Sequence, residues 1–114
     1  MKSKEVRKKS DLELALIKQL RLETDLPAFT DDYNFSDVKG WRFDLCYPDY
    51  KVAVELEGEG RHKRWQGFLN DMDKYNHASI EGWFLIRVGR EHVDNGLAVE
   101  YIRAMLKAEG WVND

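Results

Sequence analysis

Residues 41–58, WRFDLCYPDYKVAVELEG, decide how this chain folds. From Trp41 to Tyr47 the side chains alternate, with Trp41, Phe43, Leu45 and Tyr47 on one face and Arg42, Asp44 and Cys46 on the other. A period of two is the mark of a half-buried strand. Pro48 and Asp49 supply a tight turn, and Lys51 to Glu57 alternates again, with Val52, Val54 and Leu56 opposing Ala53, Glu55 and Glu57. The two runs read as an antiparallel hairpin that ends at Gly58 and Gly60.

Working outward, the chain before the hairpin begins with a helix capped by Ser10, carrying Leu12, Leu16, Ile17 and Leu20 at helical spacing to about Leu22. A loose acidic segment from Glu23 to Gly40 follows, with room for one short strand near Tyr33 to Phe35. Beyond the hairpin, a basic loop leads into a helix over Gly67 to Ile80, whose stripe is Phe68, Met72, Tyr75 and Ser79 and whose stop is Gly82. Trp83 to Val88 is nearly all apolar, which predicts a central strand buried on both faces. A last helix near Asn95 to Glu109 lines up Leu97, Ala98, Tyr101, Ile102, Met105 and Leu106 and closes at Gly110. The order α, β, β, α, β, α predicts an α/β (α+β) fold, a small mixed sheet flanked by helices.

The sequence has 114 residues, 43% of them hydrophobic, enough for one core and too few for two, so a single domain over 1–114 is expected, with residues 1–9 as a basic N-terminal extension. The charged fraction, 34%, carries both signs and argues against a disordered or fibrous chain. A lone cysteine, Cys46, makes no internal disulfide, and no Cys/His cluster has zinc-ligand spacing. No leader pattern and no apolar run near the ~20 residues of a membrane span are present, so a cytoplasmic protein with no membrane partner is expected. The net charge of −3 argues against gripping nucleic acid by bulk positive charge. Positive charge gathers locally in Lys2 to Lys9 and in Arg61, His62, Lys63 and Arg64 before Trp65; either run suits a phosphate backbone, and the first reads equally well as solvated surface.

In the hairpin, residue parity puts Asp44 on the face of Glu55 and Glu57 and pairs it directly or diagonally with Glu55, so that the Cβ atoms lie about 5 to 8 Å apart. Carboxylates that close repel unless a cation lies between them. A hard divalent ion such as Mg²⁺ takes oxygen ligands and keeps several waters, which two strand carboxylates and a backbone carbonyl would half enclose. Such an ion suits phosphodiester hydrolysis, because it acidifies water and neutralises developing phosphoryl charge. Acidic residues on a solvent-facing strand are common, so the trio alone decides nothing. Its weight rises because Glu55 is flanked by Val54 and Leu56 and because a following helix should cover this side.

An ordered series of further matches runs along nearly the whole chain: Ser10-Asp11-Leu12-Glu13, Trp41-Arg42-Phe43-Asp44 with Tyr47-Pro48, Val52 to Gly58 as VAVELEG, Gly60-Arg61-His62, Gly67-Phe68 with Asp71, Lys74-Tyr75-Asn76 with Ala78, and Gly82-Trp83 running to Arg87. On these residues the chain resembles the PD-(D/E)XK nuclease superfamily, in particular small phage and bacterial endonucleases akin to the very-short-patch-repair type. The resemblance implies a restriction-endonuclease-like α-β-β-β-α-β core and an Mg²⁺- or Mn²⁺-dependent endonuclease of DNA repair, recombination or processing. It implies metal binding by Asp44, Glu55 and the carbonyl of Leu56. Glu57 stands where the family motif expects a lysine, and Lys74 on the following helix is the candidate to supply that cation.

Glu13 has two readings: a capping box with Ser10, or a glutamate pointing from the first helix toward the metal or its water. His62 is either a loop histidine without a role or a group that contacts the scissile phosphate or assists proton transfer. Asp71, Lys74 and Asn76 are either a surface ion pair with a neutral neighbour or part of the site. DNA contacts are expected from Arg61, His62, Lys63, Arg64 and Asn76. The resemblance leaves room for a homodimer, and no exposed stripe in the sequence requires one. His62, His77 and His92 do not fall in the pattern of a ββα-metal nuclease. The rival reading is a catalytically inactive DNA-binding protein that kept the fold, for which Glu57 in place of lysine is the chief argument.

Overall fold

A computed structural model of the chain describes residues 8–58 and 64–113. The first helix, α1 (Asp11–Leu22), starts where Ser10 caps it, the Glu13 amide donating to Ser10 Oγ at 3.1 Å. Strands β1 (Thr30–Asn34), β2 (Arg42–Tyr47) and β3 (Val52–Leu56) form an antiparallel meander. The turn expected at Pro48 and Asp49 is a single 3₁₀ turn, Pro48–Tyr50, closed by Lys51 in the left-handed region at φ 53°. Helix α2 (Trp65–Ile80) then crosses over, and β4 (Phe84–Val88) runs parallel to β3. A parallel neighbour demands such a crossover. The short helix α3 (Arg90–Asp94) and α4 (Leu97–Ala108) complete the fold.

The sheet order is β1-β2-β3-β4, with helices on both faces. On one side Leu45, Tyr47, Val52, Val54, Leu56, Ile86 and Val88 meet Leu12, Leu16, Ile17 and Leu20 of α1, Val93 of α3, Ile102 and Leu106 of α4, and Trp111. Each such fully buried aliphatic side chain contributes on the order of 1.5–3 kcal/mol. On the other side a smaller aromatic core joins Phe43, Cys46, Ala53 and Trp83 to Ala78 of α2, with Phe35 stacked on Phe43 at 4.0 Å between ring centroids. Arg103 of α4 pairs with Asp25 and Glu23, and the Gln19 amide donates to the Val93 carbonyl at 2.8 Å, tying α1 and its exit to the last two helices.

Four expectations are corrected. β4 is an edge strand, not a central one: helix α4 covers Ile86 and Val88, but Phe84 and Arg87 are exposed, so its apolar sequence reports burial chiefly on one face. The strict alternation of β2 fails, because Phe43 packs with Cys46 on the α2 side while Leu45 and Tyr47 pack on the other. On α2, Phe68 and Met72 are half-exposed and Ala78 is the buried contact. The last helix lies where it was expected, at Leu97–Ala108, but Tyr101 of its expected stripe is half-exposed, and the short helix α3 before Gly96 (φ 83°) was not foreseen.

Candidate active site

The site lies where the β2–β3 ladder stops. Cα pairing runs from Tyr47–Val52 to Leu45–Val54, and the next pair in this register would be Asp44 and Glu55. There the backbone bonds are replaced by side chains: the Asp44 amide donates to Glu55 Oε2 at 3.0 Å, and the Leu56 amide donates to Asp44 Oδ2 at 2.9 Å. On the outer side Asp32 adopts φ 48° between the pairs Asp31–Leu45 and Tyr33–Phe43, so both partners of this stretch are irregular. Across this stretch Phe43 and Leu45 point to opposite cores. Side-chain carboxylates satisfy strand amides that would otherwise be orphaned.

Glu55 is 5% exposed. Burial, then the neighbouring Asp44 carboxylate, push its carboxyl up to about 7, against the pull of Lys74. Lys74 reaches down from α2, and its ammonium is bonded to Glu55 Oε1, with the rings of Phe43 and Tyr75 each 5.9 Å away. The cation expected from the helix is thus brought onto the glutamate of the hairpin.

On the other side, a cleft of about 580 Å³ is lined by Asp44, Leu56, Gly58 and the start of α1, including Glu13, Lys8 and Lys9. Glu13 donates its amide to the Ser10 cap, and its side chain, 4% exposed, lines the cleft with Asp44. Lys9 is held by Asp31 at 2.7 Å, and that bond keeps the Asp31 carboxyl below its usual range.

Glu57 is set apart from Asp44 and Glu55. Its amide donates to the Val88 carbonyl at 2.8 Å, and its Oε1 accepts from Arg87 Nε at 2.9 Å and lies 2.8 Å from Nη2. It lines a second, 270 Å³ pocket with Asp71, Tyr75 and Arg87. Burial, then the charges of Glu55 and Glu57, push the Tyr75 phenol above its ordinary range. Asn76 follows Lys74 by two residues, about 200° around the helix, and is exposed, lining neither cavity. Arg64 precedes α2 as its N-cap and is exposed. Arg61, His62 and Lys63 lie outside the described residues. His77 packs on Trp41, and His92 accepts from the Gly89 amide at 3.0 Å, so both have structural places.

Sequence reasoning gave Arg87 no role and placed Lys8 and Lys9 within the basic run Lys2 to Lys9 but not at this cleft. A signal for Arg87 existed: it is the one charge in the strand FLIRV.

As a donor set, Asp44, Glu55 and the Leu56 carbonyl offer oxygens only, which suits a hard divalent cation that keeps several waters. Among the described residues no group of three or more His, Cys, Asp or Glu side chains is arranged to hold a metal ion. The set therefore rests on two carboxylates and main-chain oxygen. No helix of the described residues is long and apolar enough to cross a membrane.

The chain is thus a mixed four-stranded sheet flanked by helices, with acidic residues where the β2–β3 ladder ends. The catalytic domain of the homing endonuclease I-Bth0305I has a similar fold: its structure matches with a TM-score of 0.66 over 90% of this chain and 100% of that one, at 14% sequence identity. No protein-family model matches the chain, and no curated protein matches it in sequence.

Proposed function

We propose that the protein is a divalent-metal-dependent endonuclease that hydrolyses DNA phosphodiesters, a PD-(D/E)XK enzyme of the very-short-patch-repair kind. The observation that carries this reading is the convergence of Asp44 and Glu55 at the end of the ladder, with the Lys74 ammonium on Glu55 and the buried Glu13 in the same cleft as Asp44. The fold shared with a homing endonuclease catalytic domain supports it.

Asp44, Glu55 and the Leu56 carbonyl would hold Mg²⁺ or Mn²⁺, which supplies acidified water and charge neutralisation at the phosphate. Glu13, which shares the cleft with Asp44, orients the water by accepting its hydrogen bond, while Glu57 is held by Arg87 in the second pocket. Lys74, already fixed over the site, offsets the negative charge that builds on the phosphoryl oxygens, where a preorganised cation is worth far more than in bulk water. The bonds to Asp44 and Glu55 hold both carboxylates in place before substrate arrives. Lys8, Lys9 and Arg64, with Arg61, His62 and Lys63, would grip the backbone, fixing register without reading sequence.

One observation favours a second reading, a DNA-binding protein without activity: Glu57, not a lysine, follows Leu56. Both are tested on a labelled panel of duplex, single-stranded, mismatched and four-way-branched DNA with Mg²⁺, Mn²⁺ or EDTA, beside Glu55→Ala. Metal-dependent product absent from the variant supports the nuclease and names its substrate. Intact binding without product on every member supports the inactive reading.

A further inference from the structure

We infer that Arg87 is a positioning residue of this site, acting through Glu57 to hold and neutralise a carboxylate that would otherwise oppose a bound phosphate. The inference rests on the DNA-directed reading above. Register places Arg87 on β4 directly beside Glu55 of β3, whose carboxylate accepts from the Asp44 amide. Two of its nitrogens lie within hydrogen-bonding distance of Glu57 Oε1, at 2.9 and 2.8 Å, and its guanidinium carbon lies 4.9 Å from the centroid of the Tyr75 ring. An anion on β3 and an aromatic face on α2 thus hold one cation from two sides. Tyr75 is the neighbour of Lys74, so the same turn of α2 sets both cations of the site.

The chemistry explains why Glu57 would need this partner. It follows Glu55 by two residues, just past the end of β3 and on the same face by strand parity, so a phosphate that approaches this end of the sheet meets its charge as well. An arginine fork is preorganised for a carboxylate and stays charged at any working pH. It converts Glu57 from a bare repelling charge into a compensated pair. Half of the Arg87 side chain is exposed, 53%, and exposed ion pairs contribute little to folding. A role confined to stability would therefore leave little to lose when Arg87 is changed.

The test is a double-mutant cycle over Arg87→Gln, Glu57→Gln and the pair, with Arg87→Lys as the conservative variant. It has three readouts: single-turnover cleavage in Mg²⁺, DNA affinity in Ca²⁺, and the thermal midpoint. We expect Arg87→Gln to slow cleavage about tenfold and weaken DNA affinity several-fold with the midpoint nearly unmoved, Arg87→Lys to recover part of both, and the affinity loss to vanish when Glu57 is already Gln. Equal affinity loss in both Glu57 backgrounds would overturn the inference, because Arg87 would then act on DNA directly; so would no loss in either. The Ca²⁺ readout stands even where the protein binds DNA without cutting it. Wild type that neither binds nor cuts DNA fails the functional reading itself, before any variant is compared, and the inference with it.

Discussion

Asp44 and Glu55 bind each other's strands rather than each other: the Asp44 amide donates to Glu55 Oε2, and Asp44 Oδ2 accepts from the amide that follows Glu55. Each carboxylate is thereby fixed by the backbone that carries the other. A substitution at either position removes an acid and also loosens the partner's strand. Asp44→Asn and Glu55→Gln keep the shape and some of these bonds, so both are expected to fold. Cleavage should fall on the order of a thousandfold in each, and the double variant should lose little more than either alone. Single-turnover rates in Mg²⁺ check this, and additive losses would mean that the two do not act as one unit.

Lys74→Met tests the cation over the site. Removing one partner of a buried pair leaves the other charge uncompensated, which costs about 3–5 kcal/mol where both are fully desolvated. Lys74 is 17% exposed, so the expected loss is smaller, about 2 kcal/mol at pH 8. It should shrink at pH 5.5, where Glu55 takes up a proton and no longer needs a counter-ion. Urea unfolding at the two pH values measures both, and cleavage should fall by about a hundredfold.

The pH dependence of the metal-free protein follows from Glu55. Burial and Asp44 raise its carboxyl from 4.5 to about 7, so between those values the folded protein keeps a proton that the unfolded chain has released. Its contribution is full below about 4.5 and is lost as pH rises through about 7, so stability should decline across this window. Glu55→Gln should flatten the decline. A slope unchanged in the variant would assign it to other groups.

Tyr47 is 2% exposed, and its hydroxyl oxygen meets no hydrogen-bond partner among the described residues. An unsatisfied buried hydroxyl costs free energy that its removal returns. Tyr47→Phe should leave cleavage alone and raise stability by up to about 1 kcal/mol, a shift of a few degrees in the midpoint for a domain of this size.

What was legible in the sequence was what periodicity carries: α1 with its Ser10 cap, the two strands of the hairpin, and the approach of Asp44 to Glu55. Strand β1 was placed only loosely, near Tyr33 to Phe35 and not at Thr30–Asn34, because Asp31 and Asp32 break its pattern and Asp32 takes a left-handed conformation. The edge position of β4 was not legible, since an apolar run does not say which neighbours cover it. The flip of Phe43 falls where side chains bond to backbone across two strands, and no alternation rule sees that. Lys74 was found through the resemblance, and its contact with Glu55 depends on the rotation of α2. Arg87 became meaningful only once β4 lay beside β3, because its partner is 30 residues away.

The central claim is that Asp44 and Glu55 hold a divalent ion. Titration of Mn²⁺, with the free ion followed by its paramagnetic resonance signal, tests it in wild type and in the Asp44→Asn/Glu55→Gln double variant. The account predicts one ion bound per wild-type chain and none in a double variant that still unfolds cooperatively. Equal binding by both proteins, or no binding by wild type, would contradict it.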